Sequence, residues 1–177
     1  MKKIIRQNTF ETNSSSTHAI CIATESALTL PKKLTFKLGE FGWEWKSYSS
    51  PEDKAAYLFT AIVYTNEDES REQLQIDDWS EIQWIKNTLD SYGVVAIFQD
   101  PVWRKSSSGD CFWLDYGYID HGWELKKEFL TDILSDENVL IQYLFSDKSY
   151  IKTGNDNSDR SVDIRVNYPH KEYYKWN

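Results

Sequence analysis

From Glu11 to His18 the chain reads ETNSSSTH, placing a carboxylate, an amide, five hydroxyls and an imidazole in eight consecutive residues before the apolar run AICIA. Such a run supports two readings. In one, Asn13, Ser14, Ser15, Ser16 and Thr17 present donors to an anionic or sugar group, and His18 acts as acid, base or ligand at the edge of a cleft. In the other, the hydroxyls satisfy their own backbone through side-chain turns, and His18 is a satisfied core histidine. Further along, YGYIDHGW sets Asp120 and His121 between Gly117 and Gly122, where a turn could present both side chains toward His18. EFGWEWKSY places Glu40 and Glu44 around Gly42 and Trp43, and Glu44 is the carboxylate that would complete the catalytic set His18, Asp120, His121 and Glu44. TGNDNSD offers Asn155, Asp156 and Asn157 either as hairpin-turn residues or as ligand contacts. It lacks the residue order and the terminal glutamate of a calcium loop.

Other chemistries leave no trace. The three histidines, His18, His121 and His170, show no short ligand spacing, so no metal site is expected. There is no phosphate-binding glycine loop, G-x-G-x-x-G or G-x-S-x-G, and SSSGD lacks the strand-to-helix elbow of a serine nucleophile. No cofactor can be named from these residues.

The elements that would position these groups follow from periodicity. THAICIAT reads as a central strand, with His18, Ile20 and Ile22 on one face and Ala19, Cys21 and Ala23 on the other. KLTFKLG alternates as a half-buried strand. Ser50, Pro51, Glu52 and Asp53 form a helix start, and Ala55, Leu58, Ala61 and Ile62 an inward stripe. A second helix is predicted from about Asp78, with Trp79, Ile82, Ile85 and Leu89 on one face and Gly93 as terminator. VVAIF then reads as a buried strand, QDPVWRKSSSGD as a flexible loop, and CFWLDYGYIDHGW as a strand with an irregular aromatic continuation. Two short helices with a break near Ser135 should follow, then SYIKTG and SVDIRVNY as a closing hairpin. The pattern predicts one α+β domain over residues 1–177, a mostly antiparallel sheet with three to four helices packed on one side.

Composition narrows the function classes. The chain has 177 residues, is 40% hydrophobic and carries a formal net charge of −8, which argues against direct nucleic-acid binding and favours basic partners. Its 8 Trp, 11 Tyr and 8 Phe are enough to leave some amphipathic rings at the surface, where they contact partners well. Cys21 and Cys111 each sit in an apolar run, as expected of buried free thiols. No apolar run is long enough for a membrane span and MKKIIR lacks a secretory apolar region, so a cytoplasmic protein is expected.

The opening RQNTFETNSSSTHAI resembles that of a family of small proteins from bacteriophages and related mobile elements, which begin with a short basic stretch and a phrase close to FETNSSSTH. FGWE, YIDH and SYIKTGNDN are similar to that family too. Where the family commonly has serine after the histidine, this chain has Ala19. The resemblance implies a phage setting in a bacterial cytoplasm and carries no established activity. Two functions are compatible with it. One is inhibition of a host nucleic-acid-binding or defence factor, as by an anti-CRISPR or other anti-defence protein. An acidic, aromatic-rich surface that includes Glu67, Asp68 and Glu69 would then dock on the host protein's basic surface. The other is nucleotide or phosphodiester chemistry at the Asn13–His18 loop with Asp120 and His121.

Overall fold

A computed structural model describes residues 16–42, 44–65, 75–105, 112–120, 123–155 and 169–175. In chain order the first half contains β1 (Ser16–Ala23), β2 (Lys33–Phe36), β3 (Glu40–Phe41), β4 (Lys46–Tyr48) and α1 (Pro51–Thr65). After a short 3-10 turn at Ile76–Asp78 come α2 (Ser80–Ser91), β5 (Val95–Phe98), β6 (Trp103–Lys105), β7 (Phe112–Leu114) and β8 (Tyr118–Ile119). The chain ends with α3 (Trp123–Ile133), α4 (Glu137–Phe145), β9 (Tyr150–Asn155) and β10 (His170–Lys175). The class is the α+β expected from the sequence.

All eight residues of β1 are buried, as its apolar character on both faces requires. It is an inner strand of an antiparallel sheet of order β10-β1-β9-β4. Ile20 lies opposite Ile151 on one side and Tyr173 on the other, so all three share a face. They belong to one core with the helices, whereas Ala19 and Cys21 form a small separate cluster with Tyr150 on the reverse face. The helices therefore cover one side of this sheet: α4 packs on β1, α3 on β10, and α1 against α3, α4, β2 and β8. Cys21 is a buried free thiol, pushed up to about 11 mainly by its burial, which suppresses the reactive thiolate.

Helix α1 departs from expectation. Its sequence reads as an amphipathic helix, yet every residue from Lys54 to Val63 is buried. An element enclosed by two helices and two small sheets has no solvent face. Its start is as read: Ser50 Oγ accepts from the Asp53 amide at 3.1 Å and donates to the Asp53 carboxylate at 2.6 Å, ahead of Pro51. The buried polar residues are matched. Thr60 Oγ1 donates to the Ala56 carbonyl at 2.7 Å and accepts from the Gly39 amide at 2.9 Å. Lys54 Nζ donates to the carbonyls of Ser146 at 2.7 Å and Ser149 at 3.2 Å. Burial pulls the Lys54 ammonium down to about 8, against the opposing influence of Asp147. Rings of α1, α3, α4 and β10 interlock edge to face, with Phe129 at 5.1 Å from Tyr143, 5.8 Å from Tyr173 and 6.0 Å from Tyr57.

The second predicted helix and its terminator are present. Gly93 (φ 74°) takes the left-handed position after α2 and donates to the Asp90 carbonyl, while Val94 donates to that of Leu89. The helix pair breaks after Ser135, where the Asp136 carboxylate accepts from the amides of Asn138 and Val139 and starts α4.

Three strand expectations are corrected. VVAIF is not buried on both faces: among the described residues β5 pairs only with β2, in parallel, and Val95 and Ile97 are exposed on its outer face. Within the expected flexible loop, Trp103–Lys105 forms β6 and pairs antiparallel with β7, because its alternating aromatic and long side chains suit a strand. SYIKTG is β9, but its two neighbours are β1 and β4, and SVDIRVNY lies outside the described residues.

Candidate functional site

His18 is fully buried on the helix-facing side of β1, as its spacing with Ile20 and Ile22 predicts. Its ring lies in a chain of hydrogen bonds whose direction follows from proton counting. Ser16 Oγ donates its only proton to the Asp120 backbone carbonyl at 2.8 Å. It must therefore accept at its 3.1 Å contact with His18 Nε2, so Nε2 carries a proton. Tyr57 OH lies 3.4 Å from Nδ1. Burial holds the Tyr57 phenol far above its ordinary pKa, so the hydroxyl keeps its proton at this contact. The chain thus runs Tyr57 to His18 to Ser16 to Asp120, tying helix α1 through β1 to the end of β8.

The same strand holds a second loop. Thr153 of β9 lies opposite both His18 in β1 and Lys46 in β4, and its Oγ1 donates to the Glu44 carbonyl at 2.6 Å. Trp45 lies over Gly154, where an added Cβ would come within 2.7 Å of the indole ring. Glycine is therefore required at this position for the ring to lie close on the strand. Asp120 is further fixed by donating its amide to the Phe41 carbonyl at 2.9 Å, which continues the parallel β3–β8 pairing of Glu40 with Tyr118 and Phe41 with Ile119.

Above this floor the surface is aromatic and negative. Tyr118 and Trp45 are 40% and 43% exposed, values high enough for each ring to meet a partner. The Tyr118 phenol is raised above its ordinary pKa by partial burial and then by the charges of Glu40, Asp120 and Glu44. Tyr48, beneath them, is raised by burial, with Glu44 and Asp53 adding and Lys46 opposing. The Glu44 carboxylate pairs with Lys46 at 2.5 Å in an exposed ion pair. Carboxylates beside accessible ring faces suit a cationic side chain, which ring and carboxylate attract together.

The predicted site residues thus separate. Ser16, Thr17 and His18 are buried strand residues: Thr17 and His18 fall in the strand read from the sequence, and β1 begins one residue earlier than expected, at Ser16. Asp120 joins His18 through its backbone carbonyl and Ser16, while Glu44 stands on the exposed side with its charge on Lys46. Asn155 ends β9 opposite Ser16. Asn13, Ser14, Ser15, His121, Asp156, Asn157, Glu67, Asp68 and Glu69 lie outside the described residues. Among the described residues no cluster of three or more His, Cys, Asp or Glu could hold a metal ion. No described helix is long and apolar enough to cross a membrane.

Neither a protein-family model nor any curated protein or solved structure matches the chain. The site must be read from its own geometry. That geometry adds three residues absent from the sequence reading. Tyr57, the partner of His18, looks like any helix aromatic and lies 39 positions away. Trp45 and Tyr118 carried a signal in their carboxylate-rich neighbours, but nothing in the sequence separates an exposed ring from a buried one.

Proposed function

We infer that the protein is a non-enzymatic binding protein whose acidic aromatic face, centred on Tyr118 and Trp45, occupies a basic surface of another protein. The biological form of this reading is a phage-type accessory protein that inhibits a host nucleic-acid-binding or defence factor in the bacterial cytoplasm. The setting comes from the resemblance of the opening phrase. The observation that carries the binding reading is the 40% exposed Tyr118 ring within reach of the carboxylates of Glu40, Asp120 and Glu44, whose charges add to partial burial in raising its phenol. Exposed rings beside negative charge favour arginine and lysine on a partner, and the net charge of −8 steers the approach from a distance. A hydrolytic role for the opening phrase draws no support from His18, whose ring is fully buried and bonded to Tyr57 and Ser16.

Affinity capture from bacterial lysate tests this, with the wild-type chain and the variant Glu40→Lys, Glu44→Lys, Asp120→Lys immobilised side by side. A protein with a basic surface should be retained by the wild type and released by the triple variant. Equal retention of every captured protein by both would refute the reading.

A further inference from the structure

The β2–β5 pair presents a second surface of opposite character. Parallel strand pairs are normally covered on both faces. Here the inner face, with Leu34 and Phe36, joins the core, while Val95 and Ile97 on the outer face are 58% and 44% exposed. Aligned residues of a parallel pair point the same way, so the register sets Lys33 beside Val95 and Thr35 beside Ile97. Lys37 and Gln99 extend the same two rows, and both are exposed. Lys32, Lys33 and Lys37 make no ion pair with any described residue, whereas Lys46, Lys86, Lys171 and Arg104 each have a carboxylate partner. In a chain of net charge −8, this face joins apolar side chains to lysines without an ion-pair partner among the described residues.

The face leads into a cleft. Lys37 and Gln99 also line a depression of about 280 Å³, completed by Leu38, Asp100, Val102, Asp115 and Tyr116. Val102 and Tyr116 at its rim are 60% and 54% exposed, and the Asp115 carboxylate is engaged by Arg104. This volume lies just below the roughly 300 Å³ at which small-molecule pockets begin, and suits a single anchoring side chain.

We propose that the outer face of β2 and β5 docks an extended acidic segment of a partner protein, with one large apolar side chain inserted in the Lys37–Tyr116 cleft. Charge decides the occupant. Lys33 and Lys37 stand about 13 Å apart along an extended strand, the spacing between carboxylates four residues apart in a segment lying alongside it. Between them Val95 and Ile97 meet the intervening apolar residue. A nucleic-acid strand would match the lysines but gain little from two aliphatic side chains, since its bases need aromatic rings to stack on. This surface is independent of the Tyr118 face and takes a ligand of the opposite sign.

The test uses the intact protein and a short dye-labelled peptide with glutamate, valine and glutamate at every second position, serine between them and one phenylalanine two residues further on, so that all four side chains share a face when it is extended; binding is followed by fluorescence anisotropy at low salt. Saturable binding is expected, weakened about tenfold or more by Lys33→Glu with Lys37→Glu, as loss of paired charges at an interface predicts. Ile97→Asp should weaken it as well, with Ile97→Thr replacing it if thermal melting shows the aspartate variant unfolded. The lysine–valine counterpart should bind these variants no worse than wild type. The proposal is overturned if the acidic peptide does not bind or if the lysine variants bind it as the wild type does. It is equally overturned if a single-stranded oligonucleotide binds in its place with the same dependence on Lys33 and Lys37.

Discussion

The buried chain from Tyr57 through His18 and Ser16 and the exposed surface around Tyr118 share one residue, Asp120, and use different parts of it. The interior takes its backbone carbonyl and locks the end of β8. The surface takes its carboxylate, which with Glu40 and Glu44 adds to partial burial in raising the Tyr118 phenol. Both clusters are rich in groups able to do chemistry, and in the sequence the interior one looks richer. Burial separates their roles. A hydroxyl and an imidazole whose protons are committed to neighbours act as fasteners, while accessible rings among carboxylates keep their binding capacity.

His18→Ala should break the interior half of this comparison with the largest effect. Loss of a buried ring and two hydrogen-bond contacts should destabilise the fold by about 3 kcal/mol, read as a lowered denaturant midpoint. At a temperature where the variant remains folded, its partner binding should persist. Loss of binding with unchanged stability would make His18 part of the site instead.

Lys54 offers the next largest effect, through pH. Its folded-state pKa of about 8 lies below the ordinary lysine value of 10.5, so between those values the unfolded chain binds more protons and stability rises with pH. Above about pH 9 the trend reverses, because Cys21 and then Tyr57, Tyr143 and Tyr173 resist ionisation when folded and ionise more readily when unfolded. The wild type should therefore gain about 1 kcal/mol as pH rises from 7 to 9, and Lys54→Met should lose that gain. An unchanged slope in the methionine variant would place the titrating group elsewhere.

Gly154→Ala sharpens the surface half. The new methyl would meet the Trp45 ring at 2.7 Å and push it from the strand. A stability loss of about 1 kcal/mol is expected, with a larger proportional loss of partner binding. Glu44→Gln should do least to the fold. Its ion pair with Lys46 is exposed, and such pairs contribute little, so thermal melting should be unchanged while binding weakens.

Much of the fold was legible because it rests on local rules. A two-residue period set the direction of His18, a Ser-Pro start placed α1, and Gly93 ended α2 with the bonds its left-handed conformation allows. What escaped depends on distant partners. Nothing near Lys54 signals that the carbonyls of Ser146 and Ser149 enclose it, since a lysine after two acidic residues reads as solvated. The parallel pairing of β2 with β5 spans more than a third of the chain, and periodicity cannot tell which apolar run has an open face. At the site, Glu44 was found from Gly42 and Trp43 beside it, and Asp120 from the glycine-flanked turn it shares with His121. That Asp120 would be held by Ser16, 104 positions away, required the fold.

The most direct test of the central claim is the ionic-strength dependence of affinity for the captured partner, measured for the wild type and for the Glu40, Glu44, Asp120 charge-reversal variant. Affinity should fall steadily with salt for the wild type. The variant should bind weakly with little salt dependence, because the charges that attract the partner have been reversed. Equal affinity and equal salt dependence for the two proteins would contradict the assignment of the Tyr118 face as the binding surface.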